Sequence, residues 1–334
     1  MLNSGSAIIV TVLVVIASSM ASTPLIDYSN RYLGNPNEES ANTNADTAAF
    51  SFAAAGDWGC TDGTLTTAKR ITEKNPEIVL GLGDYSYDTT ADCWLDILDQ
   101  TNLSERMKIS IGNHETTIYS RAFGNDSYKS SSLLKQYMDN FGLKYQFYSF
   151  DYHNVHFLGL ATELPLGIGS EQYEFVENDL AASSSKSGID WRVAYFHYPM
   201  YPASEKIADP KMFRELYHPL FDKYGVDLVL QGHDHNYQRS FPLQFNSSNP
   251  TFPKITSITK SDYVNPEGEI FVIIGTGGQS LYKFLPSPLY VVQTQALGFM
   301  YVDFVNNGLT MRATFYGNDS TAKDSFVIVK WSDA

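Results

Sequence analysis

The sequence predicts a layered α/β fold, and three observations carry the prediction. From Phe50 onward, short apolar runs alternate with stretches of helical spacing, the pattern of strand–helix units. Several of these runs end in a polar motif, most of them opened by glycine, at the place where open α/β sheets gather their ligands. The chain of 334 residues is 43% hydrophobic, enough for a substantial core.

In chain order, Phe50–Gly56 reads as the first strand, and Thr61–Asn75 as a helix stopping before Pro76. Ile78-Val79-Leu80 is a short buried strand running into Gly81 and Gly83. A helix over Ala91–Gln100 precedes a strand over Met107–Ile111. Residues 116–140 form a polar insertion ending in a helix over Leu133–Met138. Two aromatic-rich strands follow, Tyr145–Tyr152 and Val155–Ala161, and His153 and His156 at their turn read as structural. Glu171–Ala182 is amphipathic, Trp191–Phe196 is a strand, and Pro210–Tyr224 is a helix whose His218 reads as a helix-face residue rather than a ligand. Val226–Leu230 is another buried strand, and residues 241–266 read as loop. Glu269–Gly275 and three apolar stretches at 297–305, 309–316 and 325–331 close the chain, the last three as antiparallel strands completing a second sheet.

Net charge is −14, with no Lys/Arg-rich block. Nucleic acid is not expected as a partner, since phosphate backbones are bound largely by basic charge. Small anionic substrates would instead depend on local cations. Residues 7–17 are uncharged and apolar, short of the ~20 needed for a membrane span, and Ser19-Met20-Ala21 follows as a small-x-small pattern. Residues 1–21 therefore read as a secretory signal, or as an uncleaved anchor that would place the chain at a membrane. Residues 22–49 read as a flexible leader and 50–334 as the folded domain. N-glycosylation sequons occur at Asn102, Asn125, Asn246 and Asn318.

The chemistry lies at five strand ends. Gly56-Asp57-Trp58-Gly59, Gly83-Asp84-x-x-Tyr87, Gly112-Asn113-His114-Glu115, His197 and Gly232-His233-Asp234-His235 each follow an apolar run. Asp57, Asp84, Tyr87, Asn113, His197, His233 and His235 offer carboxylate, phenolate, amide and imidazole donors. That suffices for two cations sharing the two oxygens of Asp84, with positions left open for water and substrate. Any one of these residues has a bland reading as a turn or a satisfied polar group; the ordered series is not explained that way. Cys60 and Cys93 each lie a few residues beyond a proposed ligand loop. In an exported protein a disulfide between them is expected, with two small buried thiols as the alternative.

These motifs resemble those of purple acid phosphatases, within the calcineurin-like metallophosphoesterase superfamily, over about residues 50–316. The resemblance implies a four-layer α-β-β-α fold of two packed mixed sheets flanked by helices. It implies one metal, usually Fe(III), on Asp57, Tyr87 and His235, and a second, usually divalent Fe, Zn or Mn, on Asn113, His197 and His233, bridged by Asp84. It implies hydrolysis of small phosphate esters, chiefly monoesters, by a metal-bound hydroxide, with His114 as proton donor or phosphoryl-charge stabiliser. Two departures stand out. Ala194 replaces the usual valine, and Lys206 and Ile207 stand where a substrate-binding histidine often lies. Lys206 can neutralise phosphate as a point charge or be a solvated loop lysine; Tyr198 and Tyr201 can line the pocket or merely pack. Alternatives on the same scaffold are a phosphodiesterase or nucleotide-cleaving enzyme, or a silent surface protein that binds metal or phosphate.

Overall fold

A computed structural model describes residues 50–116, 132–204 and 210–331. The first half of the chain builds β1 (Phe50–Ala55), α1 (Asp62–Lys74), β2 (Ile78–Gly81), α2 (Asp92–Gln100), β3 (Met107–Ile109), α3 (Asn113–Thr116) and α4 (Ser132–Asn140). It continues through β4 (Tyr148–Tyr152), β5 (Val155–Gly159), α5 (Glu171–Ser184), β6 (Trp191–Phe196), α6 (Lys211–Tyr224) and β7 (Leu228–Gln231). The rest is strand: β8 (Tyr237–Gln244), β9 (Lys254–Ile255), β10 (Asp262–Val264), β11 (Glu269–Ile274), β12 (Tyr290–Thr294), β13 (Gly298–Val305), β14 (Thr310–Gly317) and β15 (Ala322–Val329).

The ends of α1 show how locally the chain is instructed. Thr61 caps it by accepting the Thr64 N–H on its side chain, and Asn75 closes it in the left-handed conformation before Pro76.

The strands form two mixed sheets. One runs β10-β15-β14-β13-β1-β2-β3, the other β12-β8-β11-β7-β6-β5-β4, with β9 paired to β8. Strands β1, β2 and β3 are mutually parallel, as are β5, β6, β7 and β11. Alternation along β1 assigns its two faces. Phe50, Phe52 and Ala54 point into the core shared with Phe157, Val193, Leu230 and Val272 of the other sheet. Ala53 and Ala55 point outward, where their small side chains admit Ala68 and Ile71 of α1 and Trp94 of α2. On the far side, Val176 and Leu180 of α5 and Phe213 and Phe221 of α6 cover the second sheet. The result is the expected α-β-β-α layering. Full burial of a Leu, Ile or Phe side chain stabilises by roughly 1.5–3 kcal/mol, so these three cores carry the fold.

Two expectations are corrected. The last three strands do not complete a second sheet: β13 pairs antiparallel with β1, and β14 and β15 extend that first sheet. Their apolar alternation was readable, but which edge they join depends on a partner more than 240 residues away, Phe50 against Phe304 for example. Residues 241–266 are not simply loop either, because β8 extends to Gln244 and β9 and β10 follow. Pro242 argues against a strand in sequence, yet it sits beside a register irregularity in β11 between Ile270 and Val272, where a missing donor is tolerated.

No helix among the described residues is long and apolar enough to cross a membrane. The N-terminal apolar run, the leader, Asn125 and Lys206 lie outside the described residues.

Candidate metal centre

All five motifs leave the carboxyl ends of parallel strands: β1, β2 and β3 in one sheet, β6 and β7 in the other. The two sheets are stitched together at this end. Gly56 donates its N–H to Ile274 O at 2.9 Å, and Gly277 donates to Gly56 O at 2.8 Å. Asp57 donates its backbone N–H to Gly83 O at 3.0 Å. The Gly275-Thr276-Gly277-Gly278 turn thus supports the Asp57 loop.

The structure brings all seven sequence-predicted donors together, in two sets. In the first, Tyr87 Oη lies 3.0 Å from Asp57 Oδ1 and 2.9 Å from His235 Nε2, while His235 Nε2 is 3.1 Å from Asp57 Oδ1. In the second, His197 Nε2 lies 3.0 Å from Asn113 Oδ1 and 3.3 Å from His233 Nδ1. Asp84 stands between them, with Oδ2 3.3 Å from Tyr87 Oη and 3.2 Å from His197 Nε2. A single oxygen faces both sets, which revises the expected use of both. The other oxygen, Oδ1, accepts the His114 backbone N–H at 2.8 Å.

Several of these atoms are acceptors aimed at one another. His197 Nδ1–H donates to Leu82 O at 2.9 Å and His235 Nδ1–H to Ser280 O at 2.7 Å. Both rings therefore present Nε2 to the cluster, the orientation that backbone carbonyls give to metal-ligating histidines. Donors ~2.0–2.3 Å from a common cation lie about 3 Å apart in tetrahedral or octahedral arrangements. The observed spacings match that, and the residues present fit a pair of cations.

The electrostatics have the same cause. Burial would lower the His197 pKa, but the Asp84 and Asp57 charges prevail and push it up to about 10. His233 is pushed down to about 4 by burial and by the neighbouring His197 charge, leaving a neutral ring. Burial and then the Asp57 and Asp84 carboxylates raise the Tyr87 phenol well above its usual range. A phenolate at this position therefore needs a cation beside it.

The geometry is held by backbone that few residues favour. Asp57, Asp84, Tyr87 and His233 all have φ between 55° and 67°, a conformation that costs on the order of 1–3 kcal/mol each for non-glycine residues. Close approach adds a second constraint: a Cβ on Gly112 would stand 2.3 Å from Asp84 Oδ1.

The remaining candidates separate. His114 lies over the Tyr87 ring, centroids 4.0 Å apart, with Nε2 3.8 Å from Asp84 Oδ2 and 27% of its side chain exposed. It borders the centre and reaches solvent. The Tyr198 ring packs edge-on against His233 at 4.2 Å, which makes it a wall of the site. Tyr201 turns away, buried, with its hydroxyl 2.5 Å from His218 Nδ1. His153 stacks on Phe50, and His156 is clamped between Asp151 and Asp179, both structural as expected. His218 lies on α6 with its side chain fully buried. Cys60 and Cys93 form a disulfide.

Sequence reasoning gave Glu115 no role of its own. It is fully buried, and its carboxylate accepts the backbone N–H groups of Asp84, Tyr85 and Gly112, each at 2.9 Å. Burial and the Asp84 charge push its pKa up to about 7, against the pull of those three bonds. Tyr282, stacked on His235 at 3.9 Å, was also missed, since nothing in the loop after Gly278 marks it. An acid directly after the Asn-His pair was the only available signal for Glu115.

Residues 50–237, more than half of the chain, match the family of calcineurin-like phosphoesterases. The chain belongs to that family. Among curated relatives of this calcineurin-like phosphoesterase, purple acid phosphatase 22 of Arabidopsis thaliana is 30% identical over 283 residues, covering 81% of this chain and 61% of the relative. Purple acid phosphatase 15 of the same plant is 26% identical, covering 68% of this chain and 44% of the relative. The chain thus spans about half the length of the curated relatives it matches. The purple acid phosphatase PPD1 from yellow lupin seeds shares the fold, with a TM-score of 0.68 at 24% identity over 85% of this chain and 54% of that one.

Proposed function

We propose that this calcineurin-like phosphoesterase is an exported, binuclear metal-dependent enzyme of the purple acid phosphatase type, hydrolysing small phosphate monoesters. The observation that carries the reading is Asp84 Oδ2 standing within 3.3 Å of donors from both sets. Asp57, Tyr87 and His235 would hold one cation with Asp84, and Asn113, His197 and His233 the other. The first set is rich in hard anionic oxygen and suits Fe(III); the second, with neutral amide and imidazole donors, suits divalent Fe, Zn or Mn. When bound, such ions supply charge to phosphate oxygens and acidify water.

The chain's own side chains account for the rest. His114 is placed to give a proton to the leaving oxygen or to steady phosphoryl charge. Tyr198 walls the substrate side beside His233, and Lys206 is proposed as a further phosphate contact. Residues 50–334 would form the catalytic domain, with residues 1–21 directing export or anchoring the chain.

Metal analysis with a visible spectrum tests the metal assignment, since a tyrosinate-to-ferric charge-transfer band should accompany iron. Assay of the same protein on a monoester, a diester and a nucleoside triphosphate tests the substrate class. Preference for the diester or triphosphate would replace the monoesterase reading. Metal-loaded protein with no activity on any of the three would remove the enzymatic one.

A further inference from the structure

A second group of ligating side chains lies outside the Asp84 centre, with His218 and Glu269 buried and Asp222 partly exposed. α6 contributes His218 and, one turn on, Asp222; β11 contributes Glu269 at its first position. One ligand atom from each residue lies within 4.8 Å of the others. His218 Nε2 is 3.0 Å from Glu269 Oε2 and 3.8 Å from Asp222 Oδ1.

Two further features call for positive charge here. Glu269 is fully buried, yet its Oε1 meets no side-chain N–H or O–H donor among the described residues, and neither does Asp222 Oδ1; a hydrogen bond between the two carboxyl groups needs a shared proton. The two carboxyl groups also face each other, and the Leu243 carbonyl faces His218 as well. Acceptor thus meets acceptor, with the Phe245 and Phe271 rings packed alongside His218 in place of donors. Buried oxygens in that arrangement are costly unless a proton or a cation lies among them.

We propose that His218, Asp222 and Glu269 form a further divalent-cation site, separate from the Asp84 centre, that binds a zinc-class ion and serves structure. One imidazole nitrogen and two carboxylates make a donor set suited to Zn2+, and the part-exposed side of Asp222 leaves a fourth position for water. The Tyr201 hydroxyl, 2.5 Å from His218 Nδ1, would accept the Nδ1–H and leave Nε2 as the ligand atom. With the site filled by a proton instead, that bond reverses: Tyr201 donates to Nδ1, and Nε2–H turns to Glu269. Tyr201 belongs to the same loop as His197 and Tyr198, so a filled site braces the segment that walls the Asp84 centre.

The experiment is a Zn2+ titration of metal-depleted full-length protein against a chromophoric chelator. It compares wild type, Asp222→Asn, Glu269→Gln, and a chain carrying Asp84→Asn with His233→Ala. The expected result is a loss of about one zinc equivalent in Asp222→Asn and in Glu269→Gln, while the Asp84→Asn/His233→Ala chain retains that equivalent and gains thermal stability on zinc addition. Should the acid substitutions fail to fold, the Asp84→Asn/His233→Ala chain is titrated with and without the further change His235→Ala, which disables the first donor set: an equivalent that survives supports the His218 site, and one that is lost overturns it. No zinc uptake by that chain, or equal uptake by wild type and Asp222→Asn, overturns the proposal and leaves a shared proton in place of the metal. Failure of the Asp84 centre to load affects wild type and both acid variants equally, so the two readings fail separately.

Discussion

Glu115 holds Asp84 by the main chain: its Oε2 accepts the Asp84 N–H at 2.9 Å. The same carboxylate accepts from Tyr85 and Gly112, so one buried side chain ties the loop after β2 to the loop after β3. Glu115→Gln keeps the shape but turns an amide N–H2 toward backbone donors. Loss of a buried, charge-assisted acceptor costs ~1–3 kcal/mol. The expected outcome is a lower denaturation midpoint together with a fall in metal content and turnover. A variant that unfolds like wild type and keeps its metal would show that Asp84 is positioned without Glu115.

Tyr87→Phe removes the phenol from the first donor set and changes little else, since the ring still packs on His114. On the proposed function, the variant loses the visible charge-transfer band and most of its activity. The second set, which does not contain Tyr87, keeps its affinity for a divalent ion. Absorption spectra of wild type and variant at equal iron content provide the check.

His156 is held between two carboxylates, Nδ1 2.6 Å from Asp151 and Nε2 2.7 Å from Asp179, and so links the β4–β5 hairpin to α5. Burial lowers its pKa, but the Asp179 and Asp151 pairings outweigh that and the net shift is upward. A raised histidine pKa contributes stability that is fully present below the unfolded value of about 6.5. That contribution is lost as pH rises through the folded value. Asp151 bounds the window on the acid side. Burial opposes its shift, Lys186 and His156 pull its pKa down, and its contribution is lost as pH falls through that lowered value. The difference in melting temperature between wild type and His156→Gln should therefore be largest in mildly acidic solution and shrink above neutrality. A difference that grows from neutral to alkaline pH would contradict the charged clamp.

The Cys60–Cys93 disulfide closes a separation of 33 residues and joins the loop after Asp57 to the start of α2, beyond Tyr87. In the chain-entropy model that closure stabilises by about 3–4 kcal/mol. The expected outcome for Cys60→Ser with Cys93→Ser is a drop of that order in unfolding free energy, measured by denaturant titration. Looser Tyr87 placement should also weaken metal retention in the first donor set. Equal stability of the oxidised and reduced wild type would refute the estimate.

Much of the centre was readable because its grammar is local. An apolar run, a glycine where a Cβ would collide, and a donor side chain lie within a few residues of one another, and the order of five such motifs was enough to name seven donors. Helix ends were equally local, as Thr61 and Asn75 illustrate. Less local features carry no such mark. A lone histidine on a helix, such as His218, does not show in sequence that Glu269 packs above it. Pro242 likewise argues for loop over residues 241–266, and the irregularity in β11 beside it is invisible in the segment itself.

The sequence by itself determined the layered α/β class, the candidate donor residues and their order, since these follow from hydrophobic period, turn chemistry and donor type. Tertiary structure alone decided that β13–β15 return to the first sheet, that Asp84 offers one oxygen to both donor sets, and that Glu115 anchors it. The physical reason is that each of these depends on distances between segments far apart in the chain. Such distances are set when two sheets close on a common core, and no single segment encodes them.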